Sequence, residues 1–166
     1  HWYWAAQKAH SKWRVPIGTQ MAIIFKESHF HPAARPPRKK WLGLVPWSRP
    51  TSAEGYAQAV NQPWHLYLRE THQRSASRQD FSKAVDFIGW YLHRIHQHLG
   101  IAIKDVKHLY LAYHEGSGAY QKGSYIKQPH LIKIAQKVKN RADRYQRQLA
   151  RCQHRLPIQR WYNKLF

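Results

Sequence analysis

The sequence predicts an all-α protein with a single compact domain. The chain has 166 residues, which is about the length of one domain. Several segments repeat apolar residues at helical spacing, and no long run alternates between apolar and polar residues as a strand does. Hydrophobic residues make up 43% of the chain, which is enough to build a buried core.

The first predicted helix begins at Pro16, because proline suits the first position of a helix. The apolar stripe that follows is formed by Ile17, Met21, Ile24 and Phe25. Residues 1–15 show no sustained period, so we predict an N-terminal extension that packs on the domain. The helix is expected to end near Ser28, before Pro32.

Four further helices are predicted between residues 63 and 152. The first covers about residues 63–73, and the second, which we expect to be central, runs from Phe81 to Gly100. The third begins at about Lys104, with Asp105 near its start, and ends at the break formed by residues 116–118. The last has the most regular apolar stripe: Leu131, Ile134, Ala135, Val138, Ala142, Tyr145 and Leu149. The predicted domain therefore covers residues 16–152, and residues 153–166 form a basic tail.

Residues 31–53 form a long segment that is rich in proline and has no helical period. Connections of this length are typical of functional or disordered segments. Trp41 and Trp47 make this one too apolar for a solvated linker, so we expect it to pack. Whether these two rings belong to the core or to the wall of a groove is open. For Trp64, Tyr67 and Tyr110 we expect burial in the core.

The charge of the chain points to an acidic partner. Lys and Arg number 28 against 8 Asp and Glu, a formal net charge of +20. Such a charge suits nucleic acid, an anionic membrane face or an acidic cell-wall polymer. The basic residues of the last helix fall mainly opposite its apolar stripe, where they form either a solvated face or an anion-binding surface. One cysteine, Cys152, excludes an intrachain disulfide framework, and no apolar run is long enough to cross a membrane.

Glu27 stands apart from the other acidic residues. It falls at the end of an apolar helix, with Ile23 and Ile24 at the i−4 and i−3 positions. Apolar surroundings and the helix C-terminus both raise the pKa of a carboxyl group, whereas Lys26 lowers it. A carboxyl group tuned in this way is a candidate general acid. The remaining acidic residues outside a glycine-rich turn are expected to be solvated or ion-paired: Glu54, Glu70, Asp80, Asp86, Asp105 and Asp143.

The 13 histidines do not make a convincing metal site. His29 with His31, and His93 with His96 and His98, have spacings that ligands can have. No carboxylate or cysteine completes either set, so we predict no metal and no cofactor.

Three segments carry a resemblance to a known family. Residues 25–34 read Phe-Lys-Glu-Ser-His-Phe-His-Pro-Ala-Ala, residues 53–58 read Ala-Glu-Gly-Tyr-Ala-Gln, and residues 112–118 read Ala-Tyr-His-Glu-Gly-Ser-Gly. In this order they resemble the soluble lytic transglycosylases, whose domain has a lysozyme-like fold. That family shows Glu-Ser-x-Phe-x-Pro-x-Ala at a helix end, then Gly-Leu-Met-Gln, then an Ala-Tyr-Asn-Ala-Gly-x-Gly turn. The resemblance covers roughly residues 15–152.

The resemblance implies roles for individual residues. Glu27 matches the catalytic acid and base, and Ser28 the serine beside it. Tyr113 matches a tyrosine near the catalytic carboxyl group, and His114 stands where an asparagine contacts sugar. The segment that lines the sugar groove corresponds to Gly55, Tyr56, Ala57 and Gln58. The departures from the family pattern are Tyr56, Ala57, His114 and Glu115, of which Glu115 adds an atypical second carboxylate near the groove.

The implied activity is cleavage of the bond between N-acetylmuramic acid (MurNAc) and N-acetylglucosamine (GlcNAc) without water, which leaves 1,6-anhydro-MurNAc. The implied partner is the peptidoglycan glycan strand, in the bacterial periplasm or envelope, with no nucleic acid expected. A chain that begins at His1 is a processed or a shortened form, and we expect that a targeting segment has been removed. An envelope machine could recruit its basic tail.

Three alternatives stay open at this point. A hydrolytic muramidase of the same fold needs a second carboxylate, from Asp80, Asp86 or Glu115. A non-catalytic helical protein that binds nucleic acid fits the charge and the aromatic residues, although no known nucleic-acid module is visible. An inactive wall-binding relative fits the departures around His114.

Overall fold

The prediction of an all-α, lysozyme-like fold is confirmed. A computed structural model describes residues 2–35 and 52–152, together with the backbone of residues 40–41 and 45–46. In these ranges the α-helices are α1 (Trp2–Trp13), α2 (Ile17–Ser28), α3 (Asn61–Glu70), α4 (Phe81–Leu99), α5 (Val106–Glu115), α6 (Ser117–Gln121) and α7 (Pro129–Cys152), with a 3₁₀ turn at Ser124–Lys127. The strands described, β1 (Lys40–Trp41) and β2 (Val45–Pro46), form only a two-residue antiparallel ladder.

Helix α2 lies against α7 and carries the site at its C-terminal end. The two helices approach closely at Gly18, where an added Cβ would lie 2.6 Å from the carbonyl oxygen of Ala142. The Gly18 N–H also donates to the Gln146 side chain at 3.2 Å. Burial extends further around α2 than its apolar stripe predicts, since Thr19 and Gln20 are also buried. The Nε2 of Gln20 donates to the Val15 carbonyl at 2.8 Å, which satisfies this buried donor.

Helix α4 occupies the central position that the sequence predicts. It packs on α1, α2, α3 and α5. Asp80 caps its N-terminus by accepting from the Ser82 N–H at 2.7 Å, and Gly100 ends it in the left-handed conformation. The end at Gly100 is the one that the sequence predicts, whereas the capping role of Asp80, which was expected to be solvated or ion-paired, is a finding of the structure.

The N-terminal residues form a helix that the sequence pattern did not predict. Ala6 and Ala9 are the buried residues of α1, and their small side chains let it approach α4. Trp13 lies against Gly89 of α4, and its indole N–H donates to Asp86 at 2.7 Å. Because this buried face is built from alanine, a search for large apolar residues misses it. The boundary that we placed after residue 15 stays a prediction.

Some predicted features lie outside the described residues. These are Trp47, the side chain of Trp41 and the tail at 153–166. The three aromatic residues expected in the core, Trp64, Tyr67 and Tyr110, are all buried.

Candidate active site

A cleft of about 680 Å³ opens where the C-terminal ends of α2 and α5 meet. The segment between Ala53 and Pro63 forms another wall, and Phe87 and Tyr91 of α4 contribute to the lining. The predicted site residues that line this cleft are Glu27, Gln58, Tyr113, His114 and Glu115. Folding therefore brings together groups from all three sequence motifs.

Glu27 occupies the last turn of α2, where the chain turns away from the helix. His29 and Phe30 both adopt left-handed backbone conformations, with φ of 51° and 65°. The half-buried carboxyl group of Glu27 accepts a hydrogen bond from the Tyr110 hydroxyl at 2.9 Å. Burial raises the pKa of Glu27, while the Tyr110 hydrogen bond and the charge of Lys26 act to lower it. The net direction is upward, so the carboxyl group is poised to hold a proton.

The loop that carries Gln58 is fixed by backbone geometry. Gly55 has a φ of +77°, and a Cβ there would lie 2.1 Å from the carbonyl oxygen of Arg78. An antiparallel bridge from Glu54 to Ala59 closes the loop. Gln58 itself has a φ of 45°, which is uncommon for a residue with a side chain. The loop is therefore built for this conformation, and a larger residue in place of Gly55 would displace it.

The side chain of Gln58 connects the loop to the segment after α2. Its Nε2 donates to the carbonyl of Ala34 at 2.7 Å and to that of Gly55 at 2.9 Å. The Gly55 N–H also donates to the Ala34 carbonyl at 2.9 Å. Gln58 thus lines the cleft and also holds the loop close to the end of α2.

Tyr113 ties α5 to the same loop. Its hydroxyl donates to the carbonyl of Ala57 at 2.6 Å, and its ring lies 5.4 Å from that of Tyr91. Burial raises the pKa of Tyr113, and the nearby Glu27 raises it further. Tyr113 therefore stays protonated and keeps its donor.

Four of the predicted substrate-binding residues are not among those that line the cleft. Ser28 is buried, and its hydroxyl donates to the Ile24 carbonyl at 3.1 Å. Tyr56 packs edge-on against Phe81, with ring centroids 5.5 Å apart. The other two are Gly55 and Ala57, which are both buried in the loop. These four residues support the walls of the cleft, and their side chains do not line it.

The three candidates for a second catalytic carboxylate lie in different parts of the structure. Glu115 lines the cleft, where it accepts hydrogen bonds from the Ser124 hydroxyl and, at 3.0 Å, from the Gln128 amide. Asp80 is the cap of α4. Asp86 accepts from the indole of Trp13, from the Tyr67 hydroxyl at 2.8 Å and from the Gln73 amide at 3.1 Å, and does not line the cleft. Of the three, Glu115 alone shares the cleft with Glu27.

Tyr110 is the functional candidate that sequence reasoning missed. It was predicted as core, and it is indeed 1% exposed, but its hydroxyl is the hydrogen-bond donor to Glu27. Two sequence signals could have suggested this. A buried tyrosine hydroxyl needs a partner, and Tyr110 lies three residues before Tyr113, so both face the same side of α5.

One histidine of each candidate set is engaged in another contact. His29 packs on the Phe25 ring at 4.6 Å, and His96 Nδ1 lies 2.8 Å from the carbonyl oxygen of Ile101. Across residues 2–35 and 52–152, no group of three or more His, Cys, Asp or Glu side chains could hold a metal ion.

A comparison with protein families gives the class of this protein. The model of a family described as transglycosylase SLT domain matches residues 1–152, and the protein belongs to this family. The resemblance drawn from the three motifs is thereby confirmed, and the match includes α1. No curated protein and no solved structure gave a match.

Membership of this family indicates a transglycosylase of the lytic type that acts on peptidoglycan in the cell envelope. Within the described ranges, the helices are all too short or too polar to span a bilayer.

Proposed function

We propose that the protein is a peptidoglycan lytic transglycosylase that cleaves the MurNAc–GlcNAc β-1,4 bond and forms 1,6-anhydro-MurNAc. The observation that carries this proposal is the setting of Glu27. Its carboxyl group lies in the cleft, is half-buried, has a raised pKa and is held on one oxygen by Tyr110. A protonated carboxyl group beside a glycan-sized cleft is what the first step of this reaction needs.

The reaction uses one carboxyl group twice. Glu27 gives its proton to the glycosidic oxygen as the bond between that oxygen and C1 of MurNAc breaks, and the GlcNAc product leaves with a free hydroxyl. The Glu27 carboxylate then takes the proton of the C6 hydroxyl of the same MurNAc. The C6 oxygen closes onto C1, and Glu27 ends the cycle protonated. Because the attacking hydroxyl belongs to the substrate, no positioned water is needed.

Tyr110 acts in this scheme as a positioning residue. Burial favours the neutral carboxyl group that starts the reaction, whereas the Tyr110 hydrogen bond favours the carboxylate that finishes it. These opposing effects keep both protonation states within reach. The hydrogen bond also fixes the rotation of the carboxyl group, which matters because small misplacements cost about a hundredfold in rate.

Substrate positioning is assigned to the other groups of the cleft. Gln58, Tyr113 and His114 offer polar atoms for the acetamide and the sugar ring. Ser28, Gly55, Tyr56 and Ala57 act through the shape of the loop and the end of α2. The net charge of +20 favours encounter with a polymer whose peptide stems carry carboxylates.

We place this activity in the bacterial periplasm, after removal of a targeting segment, with peptidoglycan strands as the partner. Recruitment to a larger envelope machine through residues 153–166 belongs to the same proposal.

A hydrolytic muramidase is the second candidate, and one observation favours it. Glu115 lies in the same cleft as Glu27, and hydrolysis needs a second carboxylate to activate water or to act as nucleophile. In the structure Glu115 is instead held by Ser124 and Gln128, which suits a residue that shapes the α5–α6 turn.

Digestion of purified sacculi, followed by mass spectrometry of the released muropeptides, tests both candidates. We expect anhydro-MurNAc ends, which differ from reducing ends by one water molecule. The Glu115→Ala variant should keep this activity within a few-fold. Reducing ends, together with a loss in Glu115→Ala as large as that in Glu27→Gln, would replace the first candidate by the second.

A further inference from the structure

A second cavity adjoins the catalytic cleft along the outer face of α3. It has a volume of about 760 Å³ and shares the side chain of Gln62 with the cleft. Four basic side chains contribute to its lining: His65, Arg69, His72 and Arg74. Among the described residues that line it there is no carboxylate. We call it the α3 basic cavity.

The geometry of α3 aligns this cavity with the cleft. Gln62, His65 and Arg69 are spaced by three and four residues, so they lie on one face of the helix. At 1.5 Å per residue, Arg69 lies about 10 Å along the axis from Gln62. The chain then reverses after α3, where His72 has a φ of 56°, and this turn brings Arg74 to the same cavity. The basic groups therefore extend outward from the point where the cleft ends.

Within the described part of the chain, the guanidinium groups of Arg69 and Arg74 have no acidic partner. All eight acidic residues of the sequence fall in the described part of the chain, and none pairs there with Arg69 or Arg74. The adjacent Glu70 is taken by Arg94 at 2.8 Å and by the Trp90 indole at 3.0 Å. Cationic groups gathered in a concave site without counter-charges attract anionic ligands, and arginine binds carboxylates in a bidentate manner.

We propose that the α3 basic cavity binds the acidic peptide stem that peptidoglycan carries on its muramic acid residues. This inference rests on the proposed function, which puts the glycan strand in the cleft. A stem leaves the strand through the lactyl group, so it must leave the cleft at one of its edges. An extended tetrapeptide, at about 3.3–3.6 Å per residue, spans about 13 Å and can reach from Gln62 past Arg69. The carboxylates of the stem then meet the unpaired arginines.

A binding measurement with two forms of the substrate tests this site. The Glu27→Gln protein is used because it should bind strands without cleaving them. Its affinity is measured for glycan strands that carry stems and for strands from which an amidase has removed the stems. Adding Arg69→Gln and Arg74→Gln should weaken binding to stem-bearing strands about five- to tenfold, as expected for two charge-assisted hydrogen bonds at a partly exposed site. Binding to stripped strands should not change. Both arginines are free of side-chain partners in the described structure, so the variant is expected to fold normally.

The matched control removes the same charge from α7. Arg144 and Arg147 are exposed and do not line the cleft or the α3 basic cavity. The pair Arg144→Gln and Arg147→Gln should change either affinity by less than about twofold. The stem site is overturned if this control loses as much affinity as the α3 variant, if stripped strands lose as much as stem-bearing ones, or if neither loses any.

The proposed function is tested separately on the same material. If the wild-type protein releases anhydro-MurNAc ends and the α3 variant shows no selective loss of binding, the stem site fails and the proposed function stands. If the selective loss is seen but sacculi yield no anhydro ends, the protein binds stems and the proposed lytic reaction fails.

Discussion

Two glutamates beside the same cleft have pKa values that are shifted in opposite directions. Glu27 lines the cleft and Glu54 lies in the loop of the neighbouring wall. Burial raises the pKa of Glu27. The pKa of Glu54 is lowered, mainly by hydrogen bonds from Arg35 at 2.5 Å and from the Gln79 amide at 3.0 Å. The residue type is the same, so the surroundings decide which carboxyl group can act as an acid.

The difference lies in the number and charge of the donors. Glu54 receives a full positive charge from Arg35 and a hydrogen bond from an amide, and these outweigh the partial burial that by itself would raise its pKa. Glu27 receives one neutral hydroxyl, and its burial raises the pKa by more than this hydrogen bond lowers it. A guanidinium group paired with Glu27, as Arg35 is paired with Glu54, would lower the pKa of Glu27 and remove its ability to act as a general acid. The cleft therefore depends on keeping arginines away from Glu27 while the surface as a whole is strongly basic.

The largest expected effect is the loss of activity in Glu27→Gln. The amide keeps the shape and an acceptor for Tyr110 but cannot deliver a proton, so muropeptide release from sacculi should fall by about 10²–10⁴-fold. Glu54→Gln is the matched control and should keep activity within about threefold. Near-full activity of Glu27→Gln, or an equal loss in both variants, would contradict the assignment of the acid.

Tyr110→Phe should have an intermediate effect, of about tenfold in rate. Removing the hydroxyl removes a donor that favours the carboxylate, so the pKa of Glu27 rises further. The high-pH limb of the rate profile, where the acid loses its proton, should therefore move to higher pH. Tyr113→Phe is the control, because its hydroxyl donates to Ala57 and not to Glu27. It should lower the rate without moving this limb, and a limb that stays in place in Tyr110→Phe would remove Tyr110 from its positioning role.

The Glu27→Gln variant should also differ from the wild type in its stability against unfolding. A carboxyl group with a raised pKa costs nothing below the unfolded value of 4.5, and its cost grows as pH rises through the folded value. The variant should therefore be more stable than the wild type at pH 7, with a higher Tm. The gain should shrink at pH 4, where both forms are neutral. Thermal unfolding at the two pH values measures this, and a gain that is larger at pH 4 would contradict the burial argument.

Periodicity and motif order predicted much of this architecture, because the signals involved are local. Helix α4 ends as predicted because Gly100 acts within the last turn of the helix. Glu27 could be singled out because its apolar neighbours lie within the same helix. The buried alanine face of α1 carries no such signal.

The parts of the site that the sequence did not predict depend on contacts between residues far apart in the chain. Tyr110 and Glu27 are 83 residues apart, so their hydrogen bond is a product of the whole fold. Ser28 was expected beside Glu27 in the groove, yet one step along a helix rotates a side chain by about 100°. The side chain of Ser28 therefore points into the core, whereas that of Glu27 lines the cleft.

The smallest expected effect is that of Glu54→Gln on stability, and it has the opposite sign. A carboxyl group with a lowered pKa stabilises the fold above its unfolded value of 4.5, and this contribution is lost as pH falls through the folded value. The pair with Arg35 is partly exposed, so at pH 7 the variant should lose less than about 1 kcal/mol, and the loss should fade at the acid end. Arg35→Gln should lose a similar amount, because either change breaks the same pair. Thermal unfolding of both variants between pH 3 and pH 7 checks this, and a Glu54→Gln protein more stable than the wild type at pH 7 would mean that the two glutamates do not differ as described.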